Sequence, residues 1–168
     1  HNVKFLEMAI SNRNGENEFI EFAAATLGCL KLSHSEPDAL ANPSRNPTQT
    51  SKVLCSTLDS LLEESMIKVP HFIKVDVEGA EWEAVQGMSR IIQLHTPMLL
   101  IEFNSIPSMT HICAYLRQVG YLFHRIDDGY PVLIKEEFVP TEEALRYGVN
   151  LLFMHPTKSS KEGNEESA

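Results

Sequence analysis

Hydrophobic positions along the chain recur with two periods, and together these predict strands alternating with helices. Runs of β-branched and aromatic residues predict strands at 3–10, 16–22, 72–77, 97–103, 121–126 and 149–154. Apolar residues spaced three and four apart predict helices beginning at Leu58, over Ala80–Gln93 and after Pro107. This alternation predicts an α/β fold with a mostly parallel sheet.

Other segments have neither period. Ser33–Lys52 is rich in Pro, Ser and Asn, which predicts a long loop, either a tolerated insertion or a lid. A turn after Asp127 precedes a predicted short edge strand over 132–135, and Thr141 opens a predicted short helix. We expect one domain over 1–156 and a disordered polar tail over 157–168.

Composition and charge narrow the class of protein. Of the 168 residues, 14 are Lys or Arg and 23 are Asp or Glu, and the resulting net charge of −9 disfavours nucleic acid and anionic lipid as partners. No apolar run approaches the roughly 20 residues that a membrane-spanning helix needs. The three cysteines, Cys29, Cys55 and Cys113, form no C-x-x-C pair, so we expect each of them to be a small buried hydrophobic residue. This use of cysteine and the lack of a membrane-spanning run lead us to expect a soluble, cytoplasmic protein.

Polar residues follow the apolar strands at the ends where α/β sheets bind ligands. Asp76 and Glu78 follow one strand, Glu102 follows the next, and Ile10 and Ser11 end the first, so we expect them to face one cleft. A carboxylate there can act as a general base, a metal ligand or an acceptor for a hydroxyl. It can equally favour the positive N-terminus of the following helix, and the residues alone leave both roles open.

Several neighbouring residues favour structural roles. Glu81 and Glu83 stand in the first helical turns and are assigned to solvent or helix capping. Trp82 is expected in the core, with stacking on a ligand as the alternative. The histidines lack zinc-site spacing, and the sequence has no dinucleotide fingerprint, P-loop or nucleophile elbow.

The run from Ile73 to Met88, with Asp-Val-Glu-Gly-Ala-Glu at 76–81 and Gln-Gly at 86–87, closely resembles the most characteristic segment of FkbM-type methyltransferases. The flanking blocks agree with this family, and they are Ala-Ile-Ser-Asn at 9–12, Thr-Leu-Asp-Ser-Leu at 57–61 and Pro-Met-Leu-Leu-Ile-Glu-Phe at 97–103. The resemblance extends from about residue 3 to residue 154.

This resemblance implies a Rossmann-like class I methyltransferase sheet with S-adenosylmethionine as methyl donor and a hydroxyl of a small molecule or sugar as acceptor. The usual strand order of the class is 3-2-1-4-5-7-6, and by resemblance strands three to seven are the predicted strands at 3–10, 72–77, 97–103, 121–126 and 149–154, in that order. The family's first two strands, its glycine-rich cofactor loop and its acidic ribose-binding residue have no counterpart before Ala9, and the chain has neither an initiator Met nor a leader. We therefore expect a fragment truncated at the N-terminus, whose fourth strand has a free edge that favours self-association.

The resemblance also implies roles for single residues. Ile10 and Ser11 are expected near the adenine, Asp76 near the methionine end of the cofactor and the acceptor hydroxyl, and Glu78 and Glu102 on the acceptor side. Methyl transfer is an in-line displacement that needs alignment and removal of one proton, so one carboxylate suffices as base, and Asp76 is favoured. The family implies no essential metal.

Two other functions remain open at this point. A chain complete as it stands is expected to be a degenerate, cofactor-free module that binds a partner through its exposed strand edge. A less favoured alternative treats Asp76 and Glu78 as ligands of Mg²⁺ or Mn²⁺ in a nucleotide-sugar transferase, because hard divalent cations prefer carboxylate oxygens.

Overall fold

Strands and helices alternate in the middle of the chain, over residues 47–127, whereas the described elements before and after this part are strands. The computed structural model describes residues 3–22, 28–30, 47–127, 129–134 and 148–156. The strands are β1 Ala9–Ile10, β2 Gly15–Phe22, β3 Gly28–Leu30, β4 Pro47–Ser56, β5 Phe72–Val75, β6 Met98–Phe103, β7 Leu122–Asp127, β8 Tyr130–Leu133 and β9 Val149–Met154. The helices are α1 Leu58–Glu63, α2 Glu81–Gln86, α3 Ser89–His95 and α4 Ile106–Gln118. The helix predicted at Thr141 and the predicted tail over 157–168 lie outside these residues.

The first sheet has the order β1-β4-β2-β3. β4 pairs parallel with β1 and antiparallel with β2. The long loop predicted over Ser33–Lys52 is therefore wrong for 47–52, while 31–46 lie outside the described residues. Polar Thr, Gln and Ser dominate this part of β4, so its sequence has no hydrophobic period that predicts a strand, although the segment pairs with β2. The predicted first strand shortens to Ala9–Ile10, and Val3 and Phe5 are exposed.

The second sheet has the order β5-β6-β9-β7-β8. β5 and β6 are parallel, whereas β9 runs antiparallel to both of its neighbours and β8 antiparallel to β7. The expectation of a mostly parallel sheet is therefore wrong for the strand pairs, of which β5–β6 is the one parallel pair among the described strands of this sheet. β7 runs in the same direction as β6, but β9 lies between them and is antiparallel to both. The edge strand predicted over 132–135 begins two residues earlier, directly after Gly129, whose φ of +83° completes the turn.

The main hydrophobic core lies between the second sheet and the helices. Alternate residues of β6, namely Leu99, Ile101 and Phe103, are fully buried on the face toward α4. Ile112 and Leu116 of α4 pack into the same core. These side chains fix β5 and β6 relative to the helices that follow them.

The single helix predicted over Ala80–Gln93 is instead two helices, α2 and α3, which separate at Gly87 and Met88. A β-carbon on Gly87 would lie 2.0 Å from the backbone oxygen of Ser11, so the absence of a side chain allows this close approach. The carbonyl oxygen of Gly87 accepts a hydrogen bond of 3.0 Å from the backbone N–H of Asp59 in α1. The helix therefore breaks where two other segments of the chain contact its backbone.

Asp59 also stabilises the start of α3. Its two carboxylate oxygens accept the backbone N–H groups of Arg90 at 3.0 Å and Ile91 at 2.9 Å. These donors belong to the first turn of the helix, where N–H groups have no partner within the helix. Met88 in the N-cap position makes no side-chain cap bond, so the carboxylate of α1 performs that function from another helix.

Substitution of Gly87 by Ala is expected to lower the free energy of unfolding by about 1–3 kcal/mol, since the new methyl group would collide with the Ser11 backbone. The measurement is urea denaturation at neutral pH. The control is Gln86→Ala, which removes an exposed hydrogen bond to Asn12 and should change stability by less than about 1 kcal/mol. Equal stability of the Gly87 variant and the wild type would contradict the close approach.

Substitution of Asp59 by Ala is expected to lower the free energy of unfolding by about 0.5–2 kcal/mol, the usual effect of losing a helix cap. The matched control is Glu63→Ala, which removes an exposed ion pair with Arg90 on the same two helices and should change stability by about 0–1 kcal/mol. Thermal unfolding of both variants distinguishes the cap from the ion pair. A larger loss in the Glu63 variant would show that capping by Asp59 is unimportant.

Candidate functional site

The turn between β5 and α2 carries most of the candidate residues. β5 ends at Val75, the turn lies at Glu78 and Gly79, and α2 begins at Glu81. Gly79 has a φ of +84°, which is accessible to glycine at little cost and strained for other residues. The turn therefore reverses the chain within a few residues and leaves Asp76 at the end of the strand.

Asp76 is accessible and ion-paired. Its Oδ2 lies 2.6 Å from Nζ of Lys74, and the two side chains are 45% and 50% exposed. The hydrogen bond and the charge of Asp76 raise the pKa of Lys74, and the charge of Glu102 adds to the shift. Lys74 therefore stays positively charged at neutral pH beside two carboxylates.

Glu102 occupies the corresponding position on the neighbouring strand. Val75 pairs with Ile101 in the parallel register of β5 and β6, so Asp76 and Glu102 are the next residues along each strand. Glu102 is half-buried, and its Oε2 accepts a hydrogen bond of 3.4 Å from Nδ2 of Asn150 on β9. The structure thus brings Asp76 and Glu102 together around Lys74.

Sequence reasoning did not single out Lys74, although the signal was present. Residues two apart on a strand point to the same face of the sheet, so a lysine at 74 is placed to contact a carboxylate at 76. The alternation of exposed Lys74 with buried Val75 shows this period directly. The position of Lys74 inside an otherwise apolar strand, two residues before Asp76, therefore indicates an ion pair between them.

Glu81 corrects a prediction. We expected it in solvent or at a helix cap, but it is buried, with 1% of its surface exposed. Its Oε1 accepts the backbone N–H of Gly79 at 2.9 Å, and its Oε2 accepts the hydroxyl of Ser108 on α4 at 3.1 Å. Burial raises the pKa of this carboxyl, and the charge of the half-buried Glu78 adds to the increase. Hydrogen bonds from the backbone of Gly79 and of Glu81 itself and from the Ser108 hydroxyl oppose it.

Trp82 belongs to the interface between α2 and α4, as expected for a core aromatic residue. Its ring centroid lies 6.0 Å from that of Tyr115 in an edge-to-face arrangement and 6.1 Å from that of His111. The side chain is partly buried and packs against the main core. Trp82 therefore helps to fix α2 against α4 beside the turn.

Ser11 contacts the C-terminal end of α2 through its backbone, and Ile10 precedes it as the last residue of β1. Ile10 packs against the main core but keeps part of its surface exposed. Ser11 is buried, its N–H donates to the carbonyl oxygen of Ser56 at 3.0 Å, and its own carbonyl meets Gly87. Gly87 follows the last residue of α2, whereas Asp76 precedes the first. The six residues of α2 make the helix about 9 Å long. Ser11 is therefore at the opposite end of α2 from the cluster around Lys74.

Other features of the surface lie away from this cluster. A shallow depression on the first sheet is lined by Met8, Ala9, Phe19, Ser51, Lys52 and Val53. Among the described residues, no group of three or more His, Cys, Asp or Glu side chains is placed to hold a metal ion. Within that same part of the chain, no helix is both long and apolar enough to cross a membrane.

The raised pKa of Glu81 predicts a pH dependence of stability. A carboxyl whose pKa is higher in the folded than in the unfolded state stabilises the fold fully below its ordinary value of 4.5, and this contribution is lost as the pH rises through the folded-state pKa. The free energy of unfolding of the wild type minus that of Glu81→Gln should therefore decrease as the pH rises from about 4.5 through the folded-state pKa.

Urea denaturation across that pH range measures the difference. The control is Glu16→Gln, which alters an exposed carboxylate paired with Lys52 at 3.1 Å, and a smaller change is expected there. An increase with pH in the difference between the wild type and Glu81→Gln would contradict the burial of an uncompensated carboxyl.

Comparison with known proteins assigns the family. No curated protein and no solved structure gives a significant match. A family model described as the methyltransferase FkbM domain matches residues 1–123, which contain β1 to β6, the four helices and all the candidate carboxylates. The match covers more than half of the 168 residues and confirms the resemblance seen in the run from Ile73 to Met88. The chain belongs to the FkbM methyltransferase family.

Proposed function

We propose that this protein transfers a methyl group from S-adenosylmethionine to a hydroxyl of a small molecule or sugar. The observation that carries this proposal is the family match over residues 1–123, which includes the turn after β5 and its carboxylates. Methyl transfer in general follows from the family. The donor, the hydroxyl and the class of acceptor are the parts that we propose.

The strand order supports a Rossmann-like sheet. The order β5-β6-β9-β7 corresponds to strands four, five, seven and six in the expected order 3-2-1-4-5-7-6. Among the described strands, β5 has β6 as its one neighbour, so its other edge is available for the strand that would stand at position one. We therefore propose that the chain represents strands three to seven of such a sheet.

The residues present fit the proposed donor in part. The exposed carboxylate of Asp76 suits the ammonium group at the methionine end of S-adenosylmethionine. Ile10 keeps exposed surface that can contact an adenine ring, whereas the side chain of Ser11 is buried and has none to offer. We propose that Ile10 contacts the adenine and that Ser11 positions it through the β1 backbone.

The cluster around Lys74 supplies the groups for proton removal. S-adenosylmethionine contributes an electrophilic methyl group on a sulfonium centre. In our proposal the carboxylate of Asp76 accepts the proton of the acceptor hydroxyl, since an accessible carboxylate at the strand end can reach it. Glu102 and Glu78 lie on the acceptor side, where their oxygens accept hydrogen bonds from further hydroxyls. The ammonium of Lys74 holds Asp76 at the end of β5.

The direct test is calorimetric titration of S-adenosylhomocysteine into the 168-residue chain and into the full product of its gene. Binding by the 168-residue chain would support the donor but contradict the assignment of the chain to strands three to seven alone. Binding by the full product alone would support a site completed by residues outside the 168. Failure of both to bind would overturn the proposal and favour a cofactor-free binding module.

Replacement of Asp76 by Asn is expected to lower kcat by about 10²–10⁴-fold, the usual contribution of a general base. The measurement is transfer of radioactive methyl from S-adenosylmethionine to hydroxylated small molecules and sugars. Glu16→Gln, an exposed carboxylate on β2, serves as control and should retain full activity. Activity in the Asp76 variant equal to the wild type would exclude Asp76 as base. Methyl transfer by the wild type should persist in excess chelator, because the proposed reaction needs no metal ion.

A further inference from the structure

The carboxylate of Glu81 joins two elements that follow different strands. It is the first residue of α2, a position that is usually exposed, yet 1% of its surface is accessible. One oxygen accepts the backbone N–H of Gly79 in the turn after β5, and the other accepts the hydroxyl of Ser108 in α4. α4 follows β6, the strand that carries Glu102. The side chain therefore bridges the two segments that bear the candidate carboxylates.

This arrangement differs from ordinary helix capping. The N-cap residue of α2 is Ala80, which has no side chain to accept a hydrogen bond. Besides the N–H group of its own backbone, Glu81 binds a turn residue that precedes the N-cap and a hydroxyl on another helix. These partners are uncharged, so the burial of the carboxylate is only partly compensated.

The partner on α4 is itself held in place. The backbone N–H of Ser108 donates to the hydroxyl oxygen of Ser105, the N-cap of α4, at 3.3 Å. The backbone of Ser108 is thereby fixed at the start of the helix. The Ser108 hydroxyl donates to one oxygen of Glu81, and the other oxygen accepts the N–H of Gly79. The carboxylate therefore links α4 to the turn.

We propose that Glu81 is a positioning residue, which holds the turn carrying Asp76 and Glu78 at a fixed distance from α4 and from Glu102 through its bonds to Gly79 and Ser108. The role in catalysis rests on the proposed methyltransferase function. Glu81 is too buried to contact a ligand, so it acts through the turn. In-line transfer is sensitive to displacements of about 1 Å, and a loosened turn would misplace Asp76 relative to both donor and acceptor.

The test compares four variants. Glu81→Ala removes both hydrogen bonds, and Ser108→Ala removes one of them while leaving the carboxylate in place. Glu81→Gln retains an oxygen for Gly79 and an amide that can donate to Ser108, so it should behave as the wild type. Thr57→Ala removes the hydroxyl that accepts the backbone N–H of Ser60 at 2.9 Å at the start of α1, and it serves as a matched control for loss of a partly buried hydrogen bond away from the turn.

The first readout is the exchange rate of the Gly79 amide, measured by nuclear magnetic resonance in folded protein. We expect about tenfold faster exchange in Glu81→Ala, an intermediate increase in Ser108→Ala, and rates within about twofold of the wild type in Glu81→Gln and Thr57→Ala. Should Glu81→Ala fail to fold, Ser108→Ala decides. Unchanged exchange in Ser108→Ala and Glu81→Ala would overturn the proposal.

The second readout is the affinity for S-adenosylhomocysteine, measured in whichever form of the protein binds it and at a temperature where each variant is folded. We expect it to fall about tenfold in Glu81→Ala and Ser108→Ala but to stay at the wild-type level in Glu81→Gln and Thr57→Ala. An equal decrease in Thr57→Ala would reveal a general effect of stability and overturn the positioning role. Absence of binding by the wild type would instead contradict the proposed function, and Gly79 exchange would still decide whether Glu81 holds the turn.

Discussion

The contact between the carbonyl of Ser11 and the bare backbone of Gly87 is the constraint on which the arrangement of the chain depends. It places the end of β1 against the break between α2 and α3. The Ser11 carbonyl lies so close to Gly87 that a residue with a β-carbon at position 87 would force one of the two segments to shift. The carbonyl of Gly87 also accepts the N–H of Asp59, and the carboxylate of Asp59 caps α3. One glycine thus connects the first sheet, α1 and the helices that follow β5. Three blocks far apart in sequence meet at this point.

At the other end of α2, the structure retains charged groups where apolar ones would pack more easily. Glu81 is buried between a turn and a neighbouring helix, with neutral partners and a raised pKa. Lys74 lies on a strand of the second sheet and pairs with Asp76 in a half-exposed position. Exposed ion pairs contribute little to stability, and buried carboxylates usually reduce it. A contribution to stability therefore does not account for Glu81 or Lys74 at these positions. Their contacts with the turn and with Asp76 do.

The two ends of α2 divide the candidate residues into a polar and an apolar part. Around Lys74 the side chains are accessible and carry both charges, which suits proton transfer and hydrogen bonding to hydroxyls. Near Gly87 the backbone of β1 is covered, with Ile10 partly exposed beside the core. The proposal of S-adenosylmethionine as the donor rests on the family match over residues 1–123, and the accessible charged groups around Lys74 are the part of this division that suits a charged ligand.

The sequence by itself determined the family, the positions of β5, β6, β9 and α4, and the placement of Asp76 and Glu102 at strand ends. These features depend on local hydrophobic periods and on the family motif between Ile73 and Met88, and both involve residues that are close together in the sequence. Only the tertiary structure decided that β4 is a strand, that the helix breaks at Gly87, and that Glu81 is buried beside Ser108. Each of these depends on a partner distant in sequence, such as β2, Ser11 or α4. A pattern of hydrophobic and polar positions records what a segment prefers, but it does not record which other segment comes to lie against it.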